Sequence, residues 1–210
     1  FFHYYLGAKY AHEVGYDHLY HAAMAADLET GKTWKRTYFR HLPDGAILRT
    51  SRIEQDPGKY RAMFSKARWE EFRADFDFFH AKLGRGRWDS ILFDKGYNGT
   101  PIWTSIFGPI SNLVPANSSW GLPVLAQLDN LVMALALLAV WWAFGFRTMA
   151  LLLVFLASLY FSSHSHLKAA YLRMDWMAAA LIGISCVKKE KYAWGGAFLA
   201  YAALIRVFPV

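Results

Sequence analysis

Three ionisable residues stand inside long apolar runs: Asp129, Arg173 and Asp175. A charge in such surroundings is costly and calls for a partner or a purpose. Asp129, beside Asn130, suits either a hydrogen bond that fixes one helix against another or a proton-transfer group. Arg173 and Asp175 suit either interfacial residues reaching for water or a site. Just before them lie His164, His166 and Lys168. Together with Arg173 these make a cationic, proton-competent cluster suited to the phosphate of an anionic lipid, whose oxygens accept charge-assisted hydrogen bonds. Arg173 is the best of the four, because its planar fork can meet two phosphate oxygens at once.

Other chemistries find less support. His18 and His21 are three residues apart and His164 and His166 two apart, but neither pair brings a cysteine or a third ligand, so no metal site is expected. The one cysteine, Cys186, sits in an apolar run as a small buried hydrophobe. There is no Gly-rich phosphate loop, nucleophile elbow or Cys-His pair, and no cofactor is implied. The net charge of +7 is spread over the chain, which gives no nucleic-acid signal.

The elements that must position these residues follow from the distribution of charge. Residues 1–100 hold 16 of the 23 Lys and Arg and 13 of the 16 Asp and Glu, so the apolar excess lies in the remainder. The chain reads as a mainly α membrane protein, a multi-pass transmembrane helix bundle with a mixed extramembrane N-terminal region. Residues 1–100 form the polar region. Residues 101–121, with Gly108, Pro109 and Asn112, read as interfacial or re-entrant. Residues 122–210 read as four transmembrane helices, at about 122–144, 148–161, 169–187 and 192–210. Lys188, Lys189 and Lys191 place their turn in the cytoplasm, which puts Arg147 inside and residues 1–121 and 162–168 outside. Phe1 in place of Met and the stop at Val210 lead us to expect a piece of a longer chain.

Within the polar region, helices are expected at Phe1–Tyr10 and Asp17–Leu28, broken at Gly15. Pro43-Asp44-Gly45 signals a turn, followed by a short strand in Ala46–Ile53. Trp69, Phe72, Phe76, Phe79 and Leu83 recur at helical spacing, with Gly84 behind them as a C-terminal cap.

Two stretches carry a family resemblance. Phe2-His3-Tyr4-Tyr5-Leu6-Gly7-Ala8-Lys9-Tyr10, followed by Glu13, Gly15-Tyr16 and Leu19-Tyr20, resembles the segment after the first membrane helix in integral-membrane glycosyltransferases of the C superfamily, of the polyprenyl-phosphate-mannose-dependent type, and their bacterial relatives. Tyr171-Leu172-Arg173-Met174-Asp175-Trp176, the basic turn at 188–191 and Gly195–Pro209 are similar to that family's paired helices ending in a basic residue and a proline. The resemblance implies a multi-pass protein of the bacterial inner membrane that moves a sugar from a polyprenyl-phosphate donor on the outer face. Basic residues would hold the lipid phosphate, and a carboxylate in the first outer loop would act as base. The family's acidic residue stands just ahead of the aromatic run, before Phe1, and Glu13 and Asp17 are the nearest carboxylates here. The alternative is a non-catalytic subunit packing against other membrane subunits.

Overall fold

A computed structural model describes residues 1–31, 38–158 and 171–205. The chain is mainly helical and divides into two units, Phe1–Ser119 and Trp120–Val210.

The first unit opens with α1 (Phe2–Lys9), the single turn α2 (Ala11–Val14) and α3 (Leu19–Thr30). Gly15 separates α2 from α3 at φ +56, and Gly31 ends α3 in the left-handed conformation, both positions that glycine fills without strain. A hairpin follows: β1 (Tyr38–Arg40) pairs antiparallel with β2 (Ile47–Arg49), Phe39 opposite Leu48. The turn read at 43–45 joins them. Two short helices, α4 (Ser51–Glu54) and α5 (Pro57–Arg61), lead to α6 (Lys66–Leu83). That helix starts on Ser65, whose hydroxyl accepts the Arg68 N–H, and ends at Gly84 with φ +66. Its expected aromatic face is the core: Trp69, Phe72, Phe76 and Phe79 are all buried. Phe2 and Trp88, the latter from α7 (Arg85–Leu92), meet edge to face against them.

The segment from Pro101 forms α8 (Pro101–Leu113), capped by Thr100 and packed on α1 within the first unit. Its approach is close. A Cβ on Gly108 would stand 2.9 Å from the Ala8 carbonyl oxygen, so α8 can lie against α1 only with glycine there. The Tyr5 hydroxyl pins the end of α8, donating to the Val114 carbonyl at 2.9 Å and accepting the Ala116 N–H at 3.0 Å.

The second unit holds α9 (Gly121–Phe144), α10 (Phe146–Ser158), α11 (Asp175–Lys188) and α12 (Tyr192–Ile205). Here the reading as a multi-pass bundle is corrected. Among the described residues one helix, α9, is long and apolar enough to cross a membrane. The others have 13 or 14 residues. At about 1.5 Å per residue they reach ~21 Å, against ~30 Å of hydrocarbon. In the run expected at 169–187 the backbone breaks before the helix begins. Residues 171–174 are bends, with Leu172 at φ +47, so the run expected from 169 begins its helix only at Asp175. Glu190, at φ +59, closes the turn between α11 and α12.

Candidate functional site

Asp129 lies in α9, fully buried, eight residues from the helix start. Its two oxygens accept the backbone N–H groups of Arg173 at 3.1 Å and Met174 at 2.9 Å. Those N–H groups precede α11, so the carboxylate ties the bent segment 171–174 to α9. Asp175 does the next piece of the same work. One oxygen accepts the Trp176 N–H at 2.9 Å, and the other accepts the Tyr201 hydroxyl of α12 at 3.1 Å. Both carboxylates are thus occupied in joining α9, the segment 171–174, α11 and α12. Arg173 is exposed at the junction they build. The junction sits in the N-terminal half of α9, ~12 Å from its start. His164, His166 and Lys168 lie outside the described residues.

Glu13 and Asp17 are on either side of the Gly15 turn. Asp17 is exposed. Glu13 accepts a hydrogen bond from Arg68 Nε at 2.7 Å. Arg68 is a hub: it also reaches Glu71 at 2.7 Å, the Lys9 carbonyl at 2.7 Å and Asn112 at 3.0 Å, and it lies over the Tyr10 ring. Lys9, almost wholly buried, binds Asp75 at 2.6 Å and Glu71 at 2.8 Å, while the Tyr10 hydroxyl donates to Asp75 at 2.8 Å. Burial alone would lower the Lys9 pKa, but the bonds to Asp75 and Glu71 outweigh it and the pKa is raised. Burial pushes the Tyr10 phenol up, and Asp75 adds to the shift. Lys9 therefore stays charged and Tyr10 neutral near pH 7, and the network braces α1, α2, α6 and α8 together. A carboxylate bound to a guanidinium in such a brace is a strut rather than a ready base.

A different part of the first unit has the concavity of a binding site. The hairpin, α4 and α5 enclose a cavity of about 820 Å³. This is within the usual range for small-molecule sites. Among the described residues its Lys and Arg side chains are Arg49, Arg52 and Lys59, all exposed, and its one carboxylate is Asp56. Among the described residues none of the three cations is ion-paired to a carboxylate. Asp56 caps α5, accepting the Lys59 N–H at 3.2 Å. On the inner wall His21 is buried and stacks on Tyr60, with ring centres 4.8 Å apart, while Phe39 meets it edge on. Burial, then His41 and His18, lowers the His21 pKa to about 4, although the Asp17 backbone opposes them. The ring is therefore neutral at pH 7. Its Nδ1 is buried without a well-aligned hydrogen-bond partner among the described residues.

Sequence reasoning missed this cavity. It weighs His18 and His21 for metal binding, expects none, and leaves them as surface or hydrogen-bonded histidines. The cations come from β2, α4 and α5 in turn, and no motif has that spacing. The available signal was the recurrence of basic residues, Arg40, Arg49, Arg52 and Lys59, between Phe39 and Tyr60. Comparison with protein-family models, with curated proteins and with solved structures returns no significant match.

Proposed function

We propose that the chain is a membrane-bound protein that handles a polyprenyl-phosphate-linked sugar, as a glycosyltransferase or a piece of one, with α9 as its membrane-crossing helix and Arg173 as the principal contact for the lipid phosphate. The observation that carries this reading is the surface of α9. It has 24 residues, yet only 22% of its most apolar stretch is buried. Leu131, Leu135, Leu138, Trp141 and Trp142 are each about half exposed. The core helix of a water-soluble domain would bury such residues, and a secretory signal would lie near the N-terminus. Hydrocarbon is the solvent that suits them. Arg173 supports the second part of the reading, being an exposed guanidinium at a junction that two buried carboxylates hold in place.

A second reading, a non-catalytic subunit, is favoured by the engagement of Glu13 with Arg68 and by α10, none of whose residues is buried. An apolar helix of that kind needs lipid or a partner subunit to cover it. Turnover separates the two. Membranes carrying the chain are expected to consume polyprenyl-phosphate-mannose, and Arg173→Ala is expected to slow consumption about tenfold or more, the worth of a charged hydrogen bond. No consumption by the folded wild-type chain would leave the subunit reading.

A further inference from the structure

We propose that the cavity enclosed by the hairpin, α4 and α5 is a binding site for a phosphorylated sugar, with Arg49, Arg52 and Lys59 taking the phosphate and the Tyr60–His21 wall taking the sugar ring.

Charge gives the first half of the argument. Among the described residues three cations and one carboxylate line the cavity, and the carboxylate accepts the Lys59 N–H. Three cations thus face one carboxylate among the described residues of this concave surface, so the cavity favours an anion. Two of the three are arginines, whose forks match phosphate oxygens in pairs.

Volume and lining give the second half. About 820 Å³ is far more than a bare phosphate fills, so the anion is one end of a larger ligand. Beyond the cations the lining offers Ser51 and Gln55, which can both donate and accept, and the face of Tyr60. A ring platform beside amides and hydroxyls suits a polyhydroxylated ring, which presents C–H groups to the aromatic face and hydroxyls to the rim. His21 belongs to that wall as the neutral ring on which Tyr60 stacks, holding Tyr60 in place.

The inference does not rest on α9 or on Arg173, because the cavity lies wholly within the first unit. The same chemistry belongs to a free sugar phosphate and to the sugar–phosphate head of a polyprenyl lipid. The test titrates the detergent-solubilised full chain with mannose 1-phosphate and follows heat or intrinsic fluorescence. Mannose, inorganic phosphate and polyprenyl-phosphate-mannose in micelles serve as competitors. The expected result is saturable binding of mannose 1-phosphate, weakened by added salt and at least about tenfold tighter than either mannose or phosphate. Arg52→Ala with Lys59→Ala should weaken it at least about tenfold, whereas Arg87→Ala, outside the cavity, should leave it unchanged. Both cavity residues are exposed, and circular dichroism verifies that the double variant is folded. Competition by the micellar lipid identifies the lipid head as a ligand, and its failure identifies the soluble sugar phosphate. Absence of binding to the folded chain, equal binding by the double variant, or equal affinity for phosphate or for mannose overturns the proposal. None of these outcomes alters the membrane reading, which rests on the second unit.

Discussion

Asp27, in α3, has no exposed surface, and neither of its carboxylate oxygens has a hydrogen-bond partner among the described residues. His80 Nε2 is 3.8 Å away, too far for a hydrogen bond. Burial, and then the charge of Asp77, raises the Asp27 pKa from 3.8 to about 6. The fold therefore prefers the protonated acid. That contribution is complete below pH ~4 and is lost as pH rises through about 6. Asp27→Asn keeps the shape without the charge. It is expected to raise the thermal midpoint at pH 7.5 by ~5 °C and to flatten its dependence between pH 5 and 7. A lower midpoint at pH 7.5 would mean that the fold wants the ionised form. Asp129 is the opposite case. Both of its oxygens accept N–H groups, so an amide can satisfy one and must turn a donor toward the other. Asp129→Asn should cost about 1–3 kcal/mol, read from thermal unfolding or from proteolysis within 171–174. An unchanged midpoint would remove the carboxylate from the account of that junction. The sequence marked Asp129 and Asp175 as charges in need of partners. It could not show which groups they meet, because the partners of Asp129 are backbone N–H groups, which every residue but proline carries.

At the scale of elements, α11 and α12 pack through glycine. A Cβ on Gly183 would stand 2.8 Å from Leu199 Cγ and 3.2 Å from the Gly195 carbonyl. Between two apolar helices, contact of this kind supplies packing energy that a larger residue removes. Gly183→Val is expected to separate the helices and lower the midpoint, while Gly196→Val, at a position with open space around it, should change it little. Equal effects at the two positions would contradict the close crossing. The same pair of helices shows where hydropathy misleads. It counts apolar residues in a run and does not register where the backbone leaves the helix, so 169–187 reads as a span although its helix has only 14 residues. Three helices of the first unit, α1, α3 and α6, were easier to read because residue types mark their ends. By contrast α4, α5 and α7 went unread, and α4 begins inside the strand expected at Ala46–Ile53. Ser65 and Gly84 bound α6, and Gly15 and Gly31 fall before and after α3. The hairpin was half legible. Its turn and second strand had local signals, whereas β1 has three residues and depends on its partner.

For the molecule as a whole, charge density falls along the sequence, and the chain divides at Ser119 and Trp120 into an aromatic-cored polar unit and an apolar helical one. The cavity of the first unit draws on β2, α4 and α5, so its chemistry emerges only when the chain is folded. The apolar surface of the second is legible in composition, but its length per helix is not. The central claim is that α9 crosses a bilayer, with the first unit outside and Arg147 inside, the basic residue beyond its C-terminal end favouring the cytoplasm. Replacing Cys186 with serine removes the only native thiol, after which Ser119→Cys and Arg147→Cys place one thiol at each end of α9. Both positions are exposed. With a membrane-impermeant thiol reagent on intact cells, Ser119→Cys should label and Arg147→Cys should label only after permeabilisation. Labelling of both in intact cells, labelling of Arg147→Cys alone, or recovery of the chain in the soluble fraction would contradict it.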